Sequence, residues 1–139
     1  MIKEFQGEYR WLSNFYPVTV ELYGEYYPSV ENAYQAAKSS DYEYREYCKT
    51  CTPGQSKKRG RHQAIRPDWE AVKTLIMENL LRQKFNQEPF KQQLIDIGDQ
   101  PIVEGNNWGD TFWGVSLKSG KGENNLGKLI MKIQSELCK

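Results

Sequence analysis

The stretch that most constrains the architecture of this chain reads Pro28-Ser-Val-Glu-Asn-Ala-Tyr-Gln-Ala-Ala-Lys38. Pro28 and Ser29 are typical of a strand end followed by a helix cap, and neither proline nor glycine interrupts the residues that follow. The sequence therefore predicts a helix from about Val30 to Lys38.

Three polar side chains share one face of this helix. Glu31, Gln35 and Lys38 are spaced i, i+4 and i+7, whereas small apolar residues occupy the opposite face. Periodicity alone favours a solvated face, because most surface helices have one. The alternative is a carboxylate and an amine that line one wall of a pocket.

The flanking segments predict a small β element and further helices. Val18-Thr-Val-Glu-Leu22 and Glu25-Tyr-Tyr27 surround Tyr23-Gly24, a pattern typical of a short hairpin. A helix is expected from about Asp41 to Lys49, and Pro53-Gly54 then breaks the chain before a basic segment, Lys57-Lys-Arg-Gly-Arg61.

The second half of the chain is also mainly helical in pattern. Trp69, Val72, Ile76 and Leu80 recur at the spacing of a core helix. The remaining elements are expected as a helix at Pro89–Ile97, a short strand at Pro101–Glu104, a loop at Gly105–Gly114 and a last helix from Asn124 or Asn125. We therefore expect a predominantly helical α+β fold, a single compact domain over residues 1–139 whose small β element is the hairpin plus the short strand.

Composition sets limits on the function. A chain of 139 residues suits one domain. The formal net charge of +1 gives no global field to hold a polyphosphate backbone, so contact with nucleic acid must be local. The 4 Trp and 9 Tyr supply flat faces on which a base can stack, as well as core volume.

Cysteine content and hydropathy predict where the chain works. The sequence has neither an apolar run long enough to span a bilayer nor an N-terminal secretion signal, so we expect a cytoplasmic protein without membrane contact. Its three cysteines are an odd number, which argues against a disulfide framework. Cys48-Lys-Thr-Cys51 and the single histidine, His62, make a poor zinc site, so free thiols are favoured and neither a metal nor another cofactor is expected.

Several blocks of sequence, in order along the chain, resemble the signatures of the NADAR (YbiA-like) family. They are Arg10-Trp-Leu-Ser-Asn-Phe-Tyr-Pro17, Pro28 to Lys38, Gly60-Arg61, Arg66-Pro-Asp-Trp69, Lys84-Phe85, Ile102-Val-Glu104, Trp113-Gly114 and Asn124-Asn-Leu-Gly-Lys-Leu-Ile-Met131. The resemblance covers nearly the whole chain. Where the family often has Glu-His in the second block, this chain has Glu31-Asn32.

The resemblance implies a helix-rich fold with a small β element and the hydrolysis of N-glycosidic bonds. Two substrate classes are associated with the family. One is the phosphoribosylated pyrimidines of riboflavin synthesis, and the other is ADP-ribose attached to guanine, including guanine in nucleic acid. The partner implied is therefore a ribosylated base, free or within a modified nucleic acid.

Such a reaction needs a group that opposes positive charge on the ribose and a route for protonating the base. Glu31 is our first choice for the carboxylate. Lys38 acts either as a Schiff-base nucleophile, which we favour slightly, or as a hydrogen-bond donor to the substrate. Asp110 is a candidate second carboxylate, and a turn-forming role for it is an equal alternative.

Substrate contacts are expected from a further set of residues: Asn14, Phe15, Tyr16, Gln35, Arg61, Trp69, Trp113, Gly114 and Asn124. Arg61, with Lys57 or Lys58, could bind phosphate or belong to a solvated charge run. Trp69 also begins the core helix, which favours packing over base stacking. Asn14 is a turn residue or a ribose ligand, and the resemblance favours the ligand.

Two functions other than hydrolysis are also compatible with the sequence. A binding module could hold ADP-ribose or NAD without turnover, through the aromatic residues and the glycine-rich loop Gly120–Gly127, which read alone is a capped turn. The presence of both Glu31 and Lys38 on one face weighs against that module. A nucleic-acid adaptor built on Lys57–Arg61 is disfavoured by the nearly neutral net charge.

Overall fold

In the computed structural model, which describes residues 1–139, three helices in the first half of the chain begin at side-chain caps. Ser29 accepts a hydrogen bond from the backbone N–H of Asn32 at 3.0 Å, and Asp41 caps the next helix in the same way. Thr52 and Gln55 form a reciprocal capping box. These caps satisfy N–H groups that the first turn of a helix leaves without partners.

About 48% of the residues are helical and 9% lie in strands. The prediction of a predominantly helical α+β fold is therefore confirmed. Within this fold the chain forms two compact units, one made of Asn14–Lys84 and the other of Met1–Ser13 together with Phe85–Lys139.

The first of these units opens with a hairpin. Strands β1 (Val20–Leu22) and β2 (Glu25–Tyr27) pair in antiparallel fashion. Tyr23 and Gly24 form the turn with φ values of 52° and 80°. Two successive positive φ values are typical of the tight turns that match the twist of paired strands, so the predicted hairpin is confirmed.

Four helices follow the hairpin in order: α1 (Val30–Lys38), α2 (Tyr42–Cys48), α3 (Pro53–Gly60) and α4 (Trp69–Phe85). The first, second and fourth agree with the predicted positions. Helix α1 contacts α2, α3 and both strands of the hairpin, and its residues are buried from Val30 to Ala37. The solvated face that periodicity favoured for α1 is therefore wrong, because neighbouring elements cover the polar side as well as the apolar one.

The chain break predicted at Pro53-Gly54 is wrong, because α3 begins at Pro53. Pro53 occupies the first turn of the helix, where its missing N–H removes no intrahelical bond. The capping box between Thr52 and Gln55 adds a second starting signal. The basic segment therefore lies mainly on a helix, and Arg61 follows its end.

Helix α4 carries only part of its predicted apolar stripe into the core. Leu80 is fully buried and Trp69 is nearly so, but Val72 and Ile76 are half-buried. Beside them, Met77 is almost fully buried. None of the helices combines the length and the apolar character needed to cross a membrane.

The other unit contains a 3₁₀ helix (Gly7–Leu12), α5 (Phe90–Asp96), β3 (Gly105–Asn106), β4 (Val115–Ser116) and α6 (Asn125–Leu137). Helix α6 begins where predicted, and its apolar side is buried at Leu126, Ile130 and Ile133. Helices α5 and α6 contact each other. Strands β3 and β4 pair in parallel.

The strand predicted at Pro101–Glu104 is wrong, since only Ile102 forms a bridge, with Ile2. Along one edge the segment up to Gly105 pairs only with the backbone of Ile2 and Lys3, too short a partner for a regular strand, and the side chain of Asn124 occupies backbone groups on the other edge. Its Nδ2 donates to the carbonyl oxygen of Ile102 at 2.9 Å, and its Oδ1 accepts from the N–H of Glu104 at 3.0 Å. These backbone groups are thereby removed from a strand ladder, and regular pairing starts at Gly105, inside the predicted loop.

Candidate active site

One face of α1 carries a buried polar pair. Glu31 and Gln35 retain only 7% and 6% of their exposure, and Gln35 Nε2 donates to Glu31 Oε2 over 2.7 Å. This bond gives the carboxylate one of the partners that burial requires. Lys38, one turn after Gln35, is half-buried.

The amine of Lys38 has a pKa below that of an ordinary lysine. Burial is the main cause, because it removes water from the charged form; Glu31 opposes the shift, and the positive charges of Lys57 and Lys73 add to it. A lowered pKa raises the fraction of neutral amine at neutral pH. The neutral amine is the form that attacks an electrophilic carbon.

Asn14 lies beside the first turn of α1. Its carbonyl oxygen accepts the N–H of Glu31 at 3.0 Å, and its Nδ2 donates to Met77 Sδ at 3.5 Å. Its Oδ1 is buried and has no hydrogen-bond partner. An acceptor left in this state next to Glu31 suits a donor brought by a ligand.

Phe15 follows Asn14 in the chain, and a lysine lies over its ring. Phe15 is 43% exposed, and Lys57 Nζ lies 5.9 Å from the centre of its ring. Tyr16 is half-buried and Arg61 is exposed. An open aromatic face next to a lysine suits a ligand that has both a flat base and a phosphate.

Trp69 is in contact with α1 through Tyr34, and their ring centres are 5.1 Å apart. Only 5% of Trp69 is exposed. This burial agrees with the packing role that the sequence favoured, and base stacking by Trp69 stays a prediction.

Asn32, at the position where the family often has histidine, binds backbone. Its Nδ2 donates to the carbonyl oxygens of Cys48 and Cys51 at 2.9 and 2.8 Å. Both of these cysteines are buried free thiols, and burial raises the pKa of Cys48 to about 12. Asn32 therefore ties α1 to the end of α2 and the turn that follows it.

Asp110, in the other unit, organises its own loop. Its Oδ1 accepts the N–H groups of Phe112 and Trp113 at 3.2 and 3.0 Å. Asn106 accepts the N–H of Asp110 through Oδ1 and donates to its carbonyl oxygen through Nδ2. These bonds are those of a turn-forming residue, and a catalytic role for Asp110 stays a prediction.

Gly114 and Asn124 lie around Glu104 in the same unit. A side chain at Gly114 would meet the Glu104 carboxylate and the Asn106 amide, so only glycine fits there. Trp113 is half-buried and packs edge-on against Phe112, with ring centres 4.8 Å apart. Asn124 is bonded to backbone through both ends of its amide.

The predicted site residues thus fall into two groups, one in each unit. Asp110, Trp113, Gly114 and Asn124 belong to the unit that contains α6, and the other predicted residues belong to the unit that contains α1. The structure joins Asn14, Glu31 and Gln35 directly and places Lys38 within the electrostatic reach of Glu31. Sequence reasoning missed Lys73, Gly60 as a packing partner of Gln35, and Asn106. Of these three residues, only Gly60 could have been recognised from the sequence, because a glycine inside a helix often marks a place where the backbone closely approaches a neighbour.

The sequence is similar to a known domain family and to several named proteins. A NADAR domain matches residues 2–138. The N-glycosidase YbiA of Escherichia coli (strain K12) is 32% identical over 135 residues, which cover 94% of this chain and 83% of that protein. A riboflavin biosynthesis protein of Vibrio vulnificus is 33% identical over 130 residues, but this chain spans only 35% of its length.

A solved structure agrees with these relationships. The NMR structure of the E. coli protein YbiA matches 98% of this chain and 82% of its own, with a TM-score of 0.83 and 31% sequence identity. The similarity therefore extends along the chain in both sequence and fold. This chain belongs to the NADAR domain family.

Proposed function

We propose that this chain hydrolyses the N-glycosidic bond between a ribose and a base, with Glu31 and Lys38 as its catalytic residues and residues 1–139 acting as one NADAR domain. The hydrolase class follows from relatives named N-glycosidases, of which this chain covers 83% and 86%. The observation that carries the assignment of residues is the buried face of α1, where a hydrogen-bonded carboxylate and a lysine of lowered pKa lie within electrostatic reach of each other.

The proposed chemistry uses both groups. As the C1′–N bond breaks, positive charge develops on the ribose, and the Glu31 carboxylate opposes that charge. The neutral amine of Lys38 forms a bond to C1′, and the base leaves with its bonding electron pair and takes up a proton. Ring opening then gives a Schiff base, which water hydrolyses to the free sugar and Lys38.

Two substrate classes fit this chemistry, ADP-ribosyl-guanine, free or in nucleic acid, and ribosylaminopyrimidine phosphates. Relatives named riboflavin biosynthesis proteins support the second class. Both classes carry phosphate, for which we propose Lys57 and Arg61, and both carry a base, for which we propose the exposed ring of Phe15. The unlinked cysteines fit a reducing compartment, so we propose the cytoplasm as the place of action.

The test is direct. The purified chain is incubated separately with an ADP-ribosylated guanine oligonucleotide and with a ribosylaminopyrimidine phosphate, and released base and sugar are followed by mass spectrometry. Release of base from one substrate identifies the class. Absence of release from both, together with measurable binding of ADP-ribose, would replace the hydrolase by a binding module.

A further inference from the structure

We propose that Gln35 is a positioning and specificity residue, which orients the Glu31 carboxylate through Nε2, accepts the 2′-hydroxyl of the ribose through Oε1, and is held in place by Gly60. This inference rests on the proposed function. It assigns each end of one buried carboxamide to a different partner.

The donor end of the carboxamide faces Glu31. Gln35 Nε2 lies 2.7 Å from Glu31 Oε2, and both side chains are more than nine-tenths buried. The opposite orientation of the amide would set its oxygen against the carboxylate and repel it. Because a carboxylate on a flexible side chain has several rotamers, this bond fixes which oxygen is presented to the substrate.

The acceptor end of the carboxamide has no partner within the protein. Gln35 Oε1 is buried and has no hydrogen-bond partner, a state that folded proteins avoid because it costs free energy. Oε1 belongs to the same small amide group as the nitrogen bonded to Glu31. A ribose whose C1′ faces Glu31 therefore has its 2′-hydroxyl, on the neighbouring carbon, as the nearest donor.

Gly60 holds the carboxamide. A Cβ atom added at Gly60 would lie 2.5 Å from Gln35 Oε1 and 2.7 Å from the hydroxyl of Tyr44. That hydroxyl donates to the carbonyl oxygen of Ser56 at 2.6 Å and is itself fixed. The backbone of α3 thus closes directly on the carboxamide, and any side chain at residue 60 must displace it.

The test compares matched substrates that carry ribose or 2′-deoxyribose at the scissile bond, chosen from the class that the wild-type chain cleaves. Gln35→Met removes both hydrogen bonds at nearly constant volume. We expect kcat to fall about 100-fold through loss of orientation. We also expect the preference for ribose over deoxyribose, measured as a ratio of kcat/KM, to shrink about tenfold relative to wild type.

Gln35→Glu separates the two ends of the side chain. It keeps an acceptor for the 2′-hydroxyl but sets a second carboxylate against Glu31, so the preference for ribose should persist while the acid limb of the pH profile moves to higher pH. The two variants therefore give opposite signatures. Retention of the full ribose preference in Gln35→Met overturns the inference.

A glycine pair tests the role of α3. Gly60→Ala should reduce the ribose preference as Gln35→Met does, whereas Gly54→Ala, in the same helix with open space around its Cβ, should leave it unchanged. Circular dichroism and thermal unfolding report folding of each variant. An unchanged preference in folded Gly60→Ala overturns the role of Gly60. Base release from neither substrate by wild type instead overturns the proposed function itself.

Discussion

Arg66 donates its backbone N–H to the carbonyl oxygen of Lys38 over 2.9 Å, which ties the end of α1 to the segment that leads into α4. The guanidinium of Arg66 is in turn paired with Asp68 and bonded to the hydroxyl of Tyr23. The backbone of Lys38 is therefore fixed by its neighbours. These contacts fix the point from which the Lys38 side chain extends beside α4.

The carboxylate of Glu31 is expected to be essential for turnover. Glu31→Gln keeps the shape of the side chain but deletes the charge that opposes a developing oxocarbenium ion, so kcat should fall by about 100-fold or more. Single-turnover kinetics measure the loss, and circular dichroism checks the fold. Glu43→Gln deletes an exposed carboxylate from the first turn of α2 and should leave kcat unchanged. A rate near that of wild type for Glu31→Gln would remove Glu31 from the mechanism.

Lys38 should form a covalent intermediate. Borohydride added during turnover would reduce the Schiff base and leave a sugar adduct that peptide mass spectrometry locates. Lys38→Arg should be inactive, because a guanidinium keeps the positive charge but has no free electron pair for attack. A variant that retains a measurable rate, without any adduct in wild type, would make Lys38 a ligand. An adduct on Lys57 or Lys58 would place the chemistry on α3.

The sequence predicted elements whose signals are local. The hairpin needed only alternation around Tyr23-Gly24, and α1 needed only its cap at Ser29 and an uninterrupted run of residues, so both were predicted with nearly correct bounds. The strand at Pro101–Glu104 failed because the groups that engage the backbone there belong to Ile2, Lys3 and Asn124, all distant in sequence. Tertiary contacts of this kind leave no local pattern.

The candidate site shows the same division. Spacing placed Glu31, Gln35 and Lys38 on one helical face, but periodicity pointed to solvent, because what covers that face is set by the packing of α1 against its neighbours. The influence of Lys73 on Lys38 also depends on tertiary structure, since the two residues lie on α4 and α1. The sequence pattern therefore grouped these candidate residues on one face, whereas their burial and charge environment required the fold.

The positive charge of Lys73 should lower the pKa of Lys38 and so affect the pH profile of turnover. Lys73→Gln removes one of the positive charges that lower the pKa of Lys38, so that pKa should rise and the acid limb of kcat/KM should move to higher pH. Lys118→Gln removes the same charge from an exposed lysine of the other unit that does not act on Lys38, and it serves as the control. An alkaline limb that moves instead would mean that the charged amine is the active form. Identical profiles for both variants would contradict the coupling.

Lys84, near the end of α4, is fully buried. Burial lowers its pKa from 10.5 to about 7. Between these values the unfolded chain binds more protons at this lysine than the folded chain does. The free energy of unfolding should therefore rise with pH across that window. The loss of stability caused by the shifted pKa should be complete only below about pH 7. The slope at this site approaches about 1.4 kcal/mol per pH unit. Urea unfolding at pH 7.5 and 8.5 measures this slope. Lys84→Met should lose the contribution of Lys84 to the slope, whereas Lys128→Met, at an exposed lysine of α6, should keep it. Equal slopes in wild type and Lys84→Met would show that Lys84 keeps its proton in the folded chain.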